Sequence, residues 1–507
     1  MNSGFTVLDA IVLVAYLAGT TALGVWVGRR QAGSKDYFVA GRQIPWWAVL
    51  FSIVASETSA LTFISIPGVA YMGNLGFLQV VAGYILGRIG VAYLLLPKYY
   101  EGEIVTAYTV LEKRFGLATR RTTSIVFMVT RGMADAVRVF ATAIPVALIL
   151  GTSVPREWAM PSAIIVLGIL TIIYTYRGGM RAVVWTEILQ ASVYLLGGIS
   201  AIVILGQVVP GGWSAILDRA GAAGKVGGLD FSFTLSNPHT VWAGLLGGGF
   251  LSMASHGADQ LIVQRLLSSR NLREAQRAII GSGIFVFIQM ALFLFVGIGL
   301  WAHFNGQPIT PTDSIFPRFI IEEMPAGLVG LLLAAIIAAT MSTHSGAINS
   351  LAAASTHDIY MPLTKRTAED PLTFRAGKRF ALLWGVVLTS GALLFPQNQQ
   401  TPVVVVALGI ASFTYGGLLG VFFLGNFWSR AVQRDAITGL TIALLVMAFI
   451  VFARNLIAWF PGMADALGPF ARIAWPWYVL IGTSITMIVG ITASYVLPRP
   501  RPRAPQT

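Results

Sequence analysis

No cysteine occurs among the 507 residues, so disulfide staples and thiolate metal sites are ruled out and the redox compartment is left undetermined. Charge is nearly as scarce. Only 11% of residues are Asp, Glu, Lys or Arg, against 56% hydrophobic, and the mean hydropathy is +0.74. A water-soluble domain carries about a quarter of its residues as charges, so the implied solvent is a bilayer. The five histidines, at 239, 256, 303, 344 and 357, have no metal-ligand spacing, and no Walker motif or kinase signature is present. These absences argue against a membrane-embedded metalloenzyme and against ATP as the energy source. Pore-lining repeats and filter loops of a channel are missing too. The net charge of +13 does not point to nucleic acid, because the basic residues lie in short loops between apolar runs rather than on one face.

What the chain does have is a succession of apolar runs of about 20 residues or more. They predict an all-α integral membrane protein of a single domain, with spans near 8–28, 45–71, 76–97, 121–151, 159–177, 182–209, 240–267, 276–303, 325–358, 376–396, 402–427, 434–454 and 475–497. The first run is followed by Arg29 and Arg30 and is expected to be a retained span rather than a cleaved signal. With the N-terminus outside, 25 of the 34 basic residues fall in inner loops. The positive-inside rule therefore predicts N-out, C-in in a bacterial-type cell (inner) membrane, and the unbroken alternation supports thirteen spans. The two longest polar stretches, 210–239 and 304–324, are then both external.

Two spans are interrupted by polar residues at mid-depth. The second carries Ser56-Glu57-Thr58-Ser59. Backbone at that depth can unwind only where it lines a cavity, and its freed carbonyls can then bind a cation; the alternative is a helix interface using hydroxyls as interhelical glue. Glu57 favours function, because a carboxylate in a membrane is costly. The ninth span carries Ala339, Thr340, Ser342, Thr343, His344, Ser345 and Gly346, with Ala339, Ser342, Thr343 and Gly346 on one small-residue face. Two hydroxyls beside free carbonyls supply neutral oxygen ligands, which suit a monovalent hard cation; plain small-residue packing is the competing account.

Charges also occur inside spans. Arg131, Asp135 and Arg138 lie within about 60° of one another on the fourth helix, either as a structural salt-bridge network or with one member free for a charged solute. Arg88 stands alone in the third span, either as a weaker candidate for contact with a charged solute or snorkelling toward an interface. His256 and His344 are of the type that carries protons near neutral pH.

Several segments resemble the sodium:solute symporter family: Tyr174 to Gln190 (YTYRGGMRAVVWTEILQ), Asp259 to Leu267 (DQLIVQRLL), Leu424 to Trp428 (LGNFW) and the two polar breaks. The resemblance implies a LeuT-type inverted repeat of five plus five helices, 45–209 and 240–427, with 8–28, 434–454 and 475–497 peripheral. It implies a secondary active transporter: Na⁺-coupled symport of a small polar organic solute by alternating access, functional as a monomer. It also implies a sodium site made of the carbonyls of Ala55, Thr58 and Ala339 with the hydroxyls of Ser342 and Thr343. A family aspartate on the exit path falls at Glu187, which with Ser345 would serve a second sodium, although Gly346 replaces one of the serines used there. The run Ser59 to Gly68 looks most like the sialic-acid branch, but Ala134 stands where that branch keeps a carboxylate-binding arginine. Candidate solute contacts are Glu57, Ser59, Thr62, Gln79, Asp135, Ser252, Ser255 and Phe413. Proton-coupled or uncoupled carriage is the nearest rival, and a solute sensor is the rival from another class.

Overall fold

The structure, a computed structural model, describes residues 5–28, 42–57, 60–101, 106–150, 154–175, 180–367, 370–396 and 402–498. Among the described residues there is no strand, only an isolated bridge between Ile44 and Ser269. The helices that build the bundle are α1 (Val7–Gly28), α2 (Trp46–Glu57), α3 (Ala60–Met72), α4 (Phe77–Gly90), α5 (Leu117–Leu150), α6 (Arg156–Thr175), α7 (Met180–Val208), α8 (Gly249–Gly257), α9 (Gln260–Leu267), α10 (Leu272–His303), α11 (Ile315–Glu323), α12 (Leu328–Ala354), α13 (Pro371–Leu393), α14 (Val403–Phe427), α15 (Gln433–Trp459) and α16 (Trp477–Val496).

Seven helical runs among the described residues are long and apolar enough to cross a membrane, and α2 with α3 makes an eighth, bent by 59°. The helices at the other predicted positions are shorter in their apolar part, as α1 and α6 are, or carry several charges, as α5 and α13 do. Length and composition thus account for eight crossings, and the figure of thirteen rests on loop-charge alternation. The connections pair as an alternating chain requires. At one end Leu75 bonds Lys225, Tyr71 bonds Gln307, and Ala474 bonds Leu235; at the other Ile44 bonds Ser268.

Small residues set how closely the central helices approach. A Cβ on Gly83 would lie 1.9 Å from the carbonyl oxygen of Gly244, and one on Gly87 would lie 2.2 Å from that of Gly249. Backbone therefore meets backbone along α4 and the 243–257 segment, the small-residue contact typical of membrane helices. At the start of α12, Asp9 of α1 accepts from the N–H groups of Gly327 (2.7 Å) and Gly330 (2.8 Å). This buried carboxylate caps a helix whose first turn has no side-chain cap of its own.

Candidate functional site

Of the two polar interruptions anticipated from the sequence, one coincides with a real helix break and the other does not: α12 runs unbroken from Leu328 to Ala354 straight through 339–346, hydroxyls such as that of Thr340 folding back onto carbonyls of their own helix. The first separates α2 from α3, and Thr58 and Ser59 lie outside the described residues. A break that the sequence reading did not place separates α8 from α9 at Ala258–Asp259, where the Asp259 side chain caps α9 by accepting from the Leu261 N–H at 2.8 Å. Residues flanking such an interruption cannot complete the i to i−4 ladder and need other partners: the Glu57 carbonyl accepts from the Thr62 hydroxyl, and the Leu261 N–H donates to Asp259.

Of the expected sodium ligands that are described, Ala55, Ala339, Ser342 and Thr343 are all buried, and α12 packs against α3. The hydroxyls along α12 differ in one respect. Thr340 donates to the carbonyl of Ile336 at 2.9 Å and Ser350 to that of Ala347 at 2.9 Å, the usual self-satisfaction of a hydroxyl within a helix. Ser342 Oγ is buried and has no hydrogen-bond partner among the described residues. A hydroxyl left in this state costs stability unless something binds it, and its oxygen is of the type a sodium ion accepts.

Between α5 and α12 lies a cavity of about 10 Å³ lined by Asp135, Arg138, Thr142, Thr340, Thr343 and His344, enough for about one water-sized group. Arg131 donates to Asp135 at 2.6 Å and to Asp259 at 3.5 Å, with its Nη2 left unpartnered among the described residues, and Tyr415 donates to Asp259 at 2.5 Å. Arg138 is held more weakly: Asp135 is 3.5 Å away, and the Nε and Nη1 of Arg138 make no hydrogen bond among the described residues. Both ring nitrogens of the buried His344 are also unpartnered among the described residues. The charge ladder read from the sequence is therefore part of a larger network, and its most weakly held member is Arg138. Asp259 and Tyr415 are the partners that sequence spacing alone did not supply.

A second buried cluster joins the first break to α4. Arg88 is fully buried, donates to Ser282 Oγ at 2.6 Å and is ion-paired with Glu57. The alternative that Arg88 snorkels toward an interface is thus wrong, because its partner lies at the centre of the bundle. His256 Nε2 is 3.4 Å from the same carboxylate, and its Nδ1 is hydrogen-bonded with Ser255 Oγ at 2.8 Å. Thr62 and Ser252 donate to the backbone carbonyls of Glu57 and Tyr84. Gln79 is set apart from this group. It donates to the His239 carbonyl at 2.8 Å and accepts from the Asp230 N–H at 3.0 Å, tying α4 to the loop before α8. Phe413 is half-buried on α14.

Glu187 on α7 is buried with both oxygens engaged. It accepts from Ser52 at 2.5 Å, Ser56 at 3.1 Å and Arg265 at 2.7 Å. A Cβ on Gly346 would lie 3.8 Å from the Arg265 guanidinium, so the position where the family keeps a serine faces a cation here. Ser345 is buried nearby on α12.

The sodium:solute symporter pattern matches residues 37–443, which is most of the chain and includes both breaks and every group described above except Asp9. The chain belongs to the sodium:solute symporter family. Similar proteins include the sodium/sialic acid symporter NanT of Aliivibrio fischeri, 32% identical with 91% of each chain covered. The sodium-coupled monocarboxylate transporter 2 of Bos taurus is 29% identical, covering 87% of this chain and 72% of the relative. A solved structure of a Na⁺-coupled sialic acid symporter in a substrate-bound, outward-open state superposes with a TM-score of 0.82 at 26% identity, covering 97% of this chain and 99% of the other. The symporter is accordingly a multi-pass membrane protein and a sodium-coupled secondary transporter, not an enzyme, and its partners are Na⁺ and a small-molecule solute.

Proposed function

We propose that the symporter carries a small organic carboxylate together with sodium. The sodium is held by the carbonyls of Ala55, Thr58 and Ala339 and by the hydroxyls of Ser342 and Thr343, and the carboxylate is drawn to Arg138 and His344. The observation that carries this reading is the set of spare nitrogens on Arg138 and His344 around one cavity, with a spare hydroxyl oxygen on Ser342 of the same helix as His344. A cavity lined by unpaired N–H groups favours an anion over a neutral sugar, since an unpaired N–H penalises any solute that cannot accept from it. The relatives support the class, because sialic acid and monocarboxylates share the group.

In the same reading the N-terminus is outside and the C-terminus cytoplasmic, residues 45–209 and 240–427 form two inverted repeats, and a single chain suffices for transport. The two breaks are then pseudo-equivalent, the first feeding carbonyls to sodium and the second placing Asp259 against Arg131. Glu187 is engaged by Arg265 and two serines, so it acts as a tie across the inner path rather than as a ligand of a second sodium. With sodium bound at the first break the outer path closes, and solute and ion leave inward together.

The test is thermal stability of the purified protein across carboxylates, amino acids, sugars and vitamins, each in sodium and in potassium. A carboxylate at about 100 times its Kd should stabilise by about 2.7 kcal/mol in sodium. Ser342→Ala should abolish that gain, whereas Ser350→Ala, whose hydroxyl serves its own helix, should keep it. Stabilisation by a sugar, or by a carboxylate equally in potassium, would overturn the assignment.

A further inference from the structure

At the loop-rich end, residues 312–314 form a single helical turn packed on α3, α5 and α11. The turn sits close to α3 because position 68 is glycine: a Cβ there would lie 3.0 Å from Thr312 Cγ2. Asp313 in this turn is fully buried. One carboxyl oxygen is hydrogen-bonded by the Ser65 hydroxyl of α3, and the other accepts from the Val403 N–H, the first residue of α14, at 2.9 Å. One side chain thus ties together half of a broken helix, an inter-helix turn and the start of a helix 90 residues further on.

The opposite half of the same broken helix is tied in a chemically different way. Ser52 and Ser56 of α2 bond Glu187, whose charge is balanced by Arg265. Asp313 has no such cation. Of the titratable groups on the elements around it, Tyr71 of α3 bonds Gln307, Arg318 of α11 pairs with Glu322, Glu323 faces His303, Arg138 of α5 lies 3.5 Å from Asp135 and makes no ion pair with Asp313, and Tyr415 of α14 bonds Asp259. A buried carboxylate with no counter-ion is strongly disfavoured. The helix start at Val403 favours the negative charge, but burial outweighs it and pushes the Asp313 carboxyl up to about 6. Both hydrogen bonds survive protonation, since the Ser65 hydroxyl can accept from a carboxylic acid as readily as it donates to a carboxylate.

We propose that Asp313 is a proton-operated latch on the outer path: protonated, it holds α3, the 312–314 turn and the start of α14 together, and ionised, it favours their separation. The sign follows from linkage. A carboxyl whose affinity for protons is higher in the closed arrangement than in water makes closure more favourable as pH falls. External acid therefore shuts the outer path. The word "outer" rests on the proposed orientation, and the experiment separates the two claims.

The absence of cysteine makes the test direct. Thr62→Cys, one turn deeper than Ser65 on α3 and buried here, reports opening through its reaction with a membrane-impermeant thiol reagent in right-side-out vesicles in sodium. Ser232→Cys, exposed in the 210–239 loop, is the reference at each pH. Relative to that reference, labelling at position 62 should fall roughly fourfold between pH 7.5 and 5.5, from a carboxyl near 6 when closed and about 3.9 when exposed. Asp313→Asn, permanently neutral, should label slowly and show no pH response. Val403→Pro removes only the N–H donor at a first helical position that tolerates proline and should label faster at both pH values. An acid response that persists in Asp313→Asn, or a rate unchanged in Val403→Pro, overturns the latch. Labelling of Ser232→Cys only in inverted vesicles would overturn the orientation instead and move the same latch to the inner face.

Discussion

Arg88 and Glu57 form an ion pair largely removed from solvent, Arg88 being fully buried and the Glu57 side chain 17% exposed. Such a pair adds little net stability compared with an apolar substitute, but breaking one side of it is expensive, about 3–5 kcal/mol. Arg88→Met alone should therefore lower the thermal stability of the symporter markedly, and the double variant Arg88→Met with Glu57→Gln should regain much of the loss. A double variant as unstable as the single would mean that Arg88 acts through Ser282 rather than through the carboxylate. This cluster also marks what sequence could supply at the level of single residues. A glutamate in the middle of an apolar run stood out as functional, whereas a lone arginine had two possible fates, and a partner 31 residues away chose between them. Asp313 gave no signal in the sequence, because an aspartate in a polar loop has nothing unusual about it until three elements close around it.

Between helices, the contact of α4 with the 243–257 segment depends on glycines that leave no room for a methyl. Gly87→Ala would press a Cβ to within 2.2 Å of a backbone oxygen, which no rotamer change can relieve, and overpacking of that kind costs about 1–3 kcal/mol. Gly19→Ala meets nothing within 4 Å and should be neutral or stabilising by up to about 1 kcal/mol through helix propensity. Thermal melts of the two variants in the same detergent check the contrast. The positions of the helices and of the first break were legible in the sequence, since apolar length and a mid-depth polar cluster are local signals, but the same kind of cluster at 339–346 lies within an unbroken helix, and the break at Ala258–Asp259 gave no such signal. The seam was not, because glycine in a membrane span is common and only the facing backbone shows which ones are in use.

Across the whole molecule, one broken helix is held at both halves, by Glu187 and Arg265 at one end and by Asp313 at the other. Sequence indicated the importance of Glu187 through the family resemblance, but not its cation, which comes from the far side of the second break. If the Glu187–Arg265 pair spans a path that must open, reversing either charge should abolish sodium-driven uptake, and Glu187→Arg with Arg265→Glu together should recover part of it. Uptake assays in proteoliposomes with the cognate solute decide this. A double variant as inactive as the singles would assign Glu187 a role that needs a carboxylate at that position, such as contact with the ion itself. The altered side chains do not reach Ser342, so sodium-dependent thermal stabilisation should survive in every one of these variants.

The glycine seam between α4 and the 243–257 segment also governs how the machine can be divided into moving parts. Two helices joined backbone to backbone behave as a weld rather than a hinge, because no side chain lies between them to re-pack and permit rotation. Arg88 of α4 therefore travels with the 243–257 segment, while Glu57 stays with the first broken helix. Their ion pair becomes a coupling between two rigid bodies: any stroke that parts those bodies must first find another partner for one of the charges.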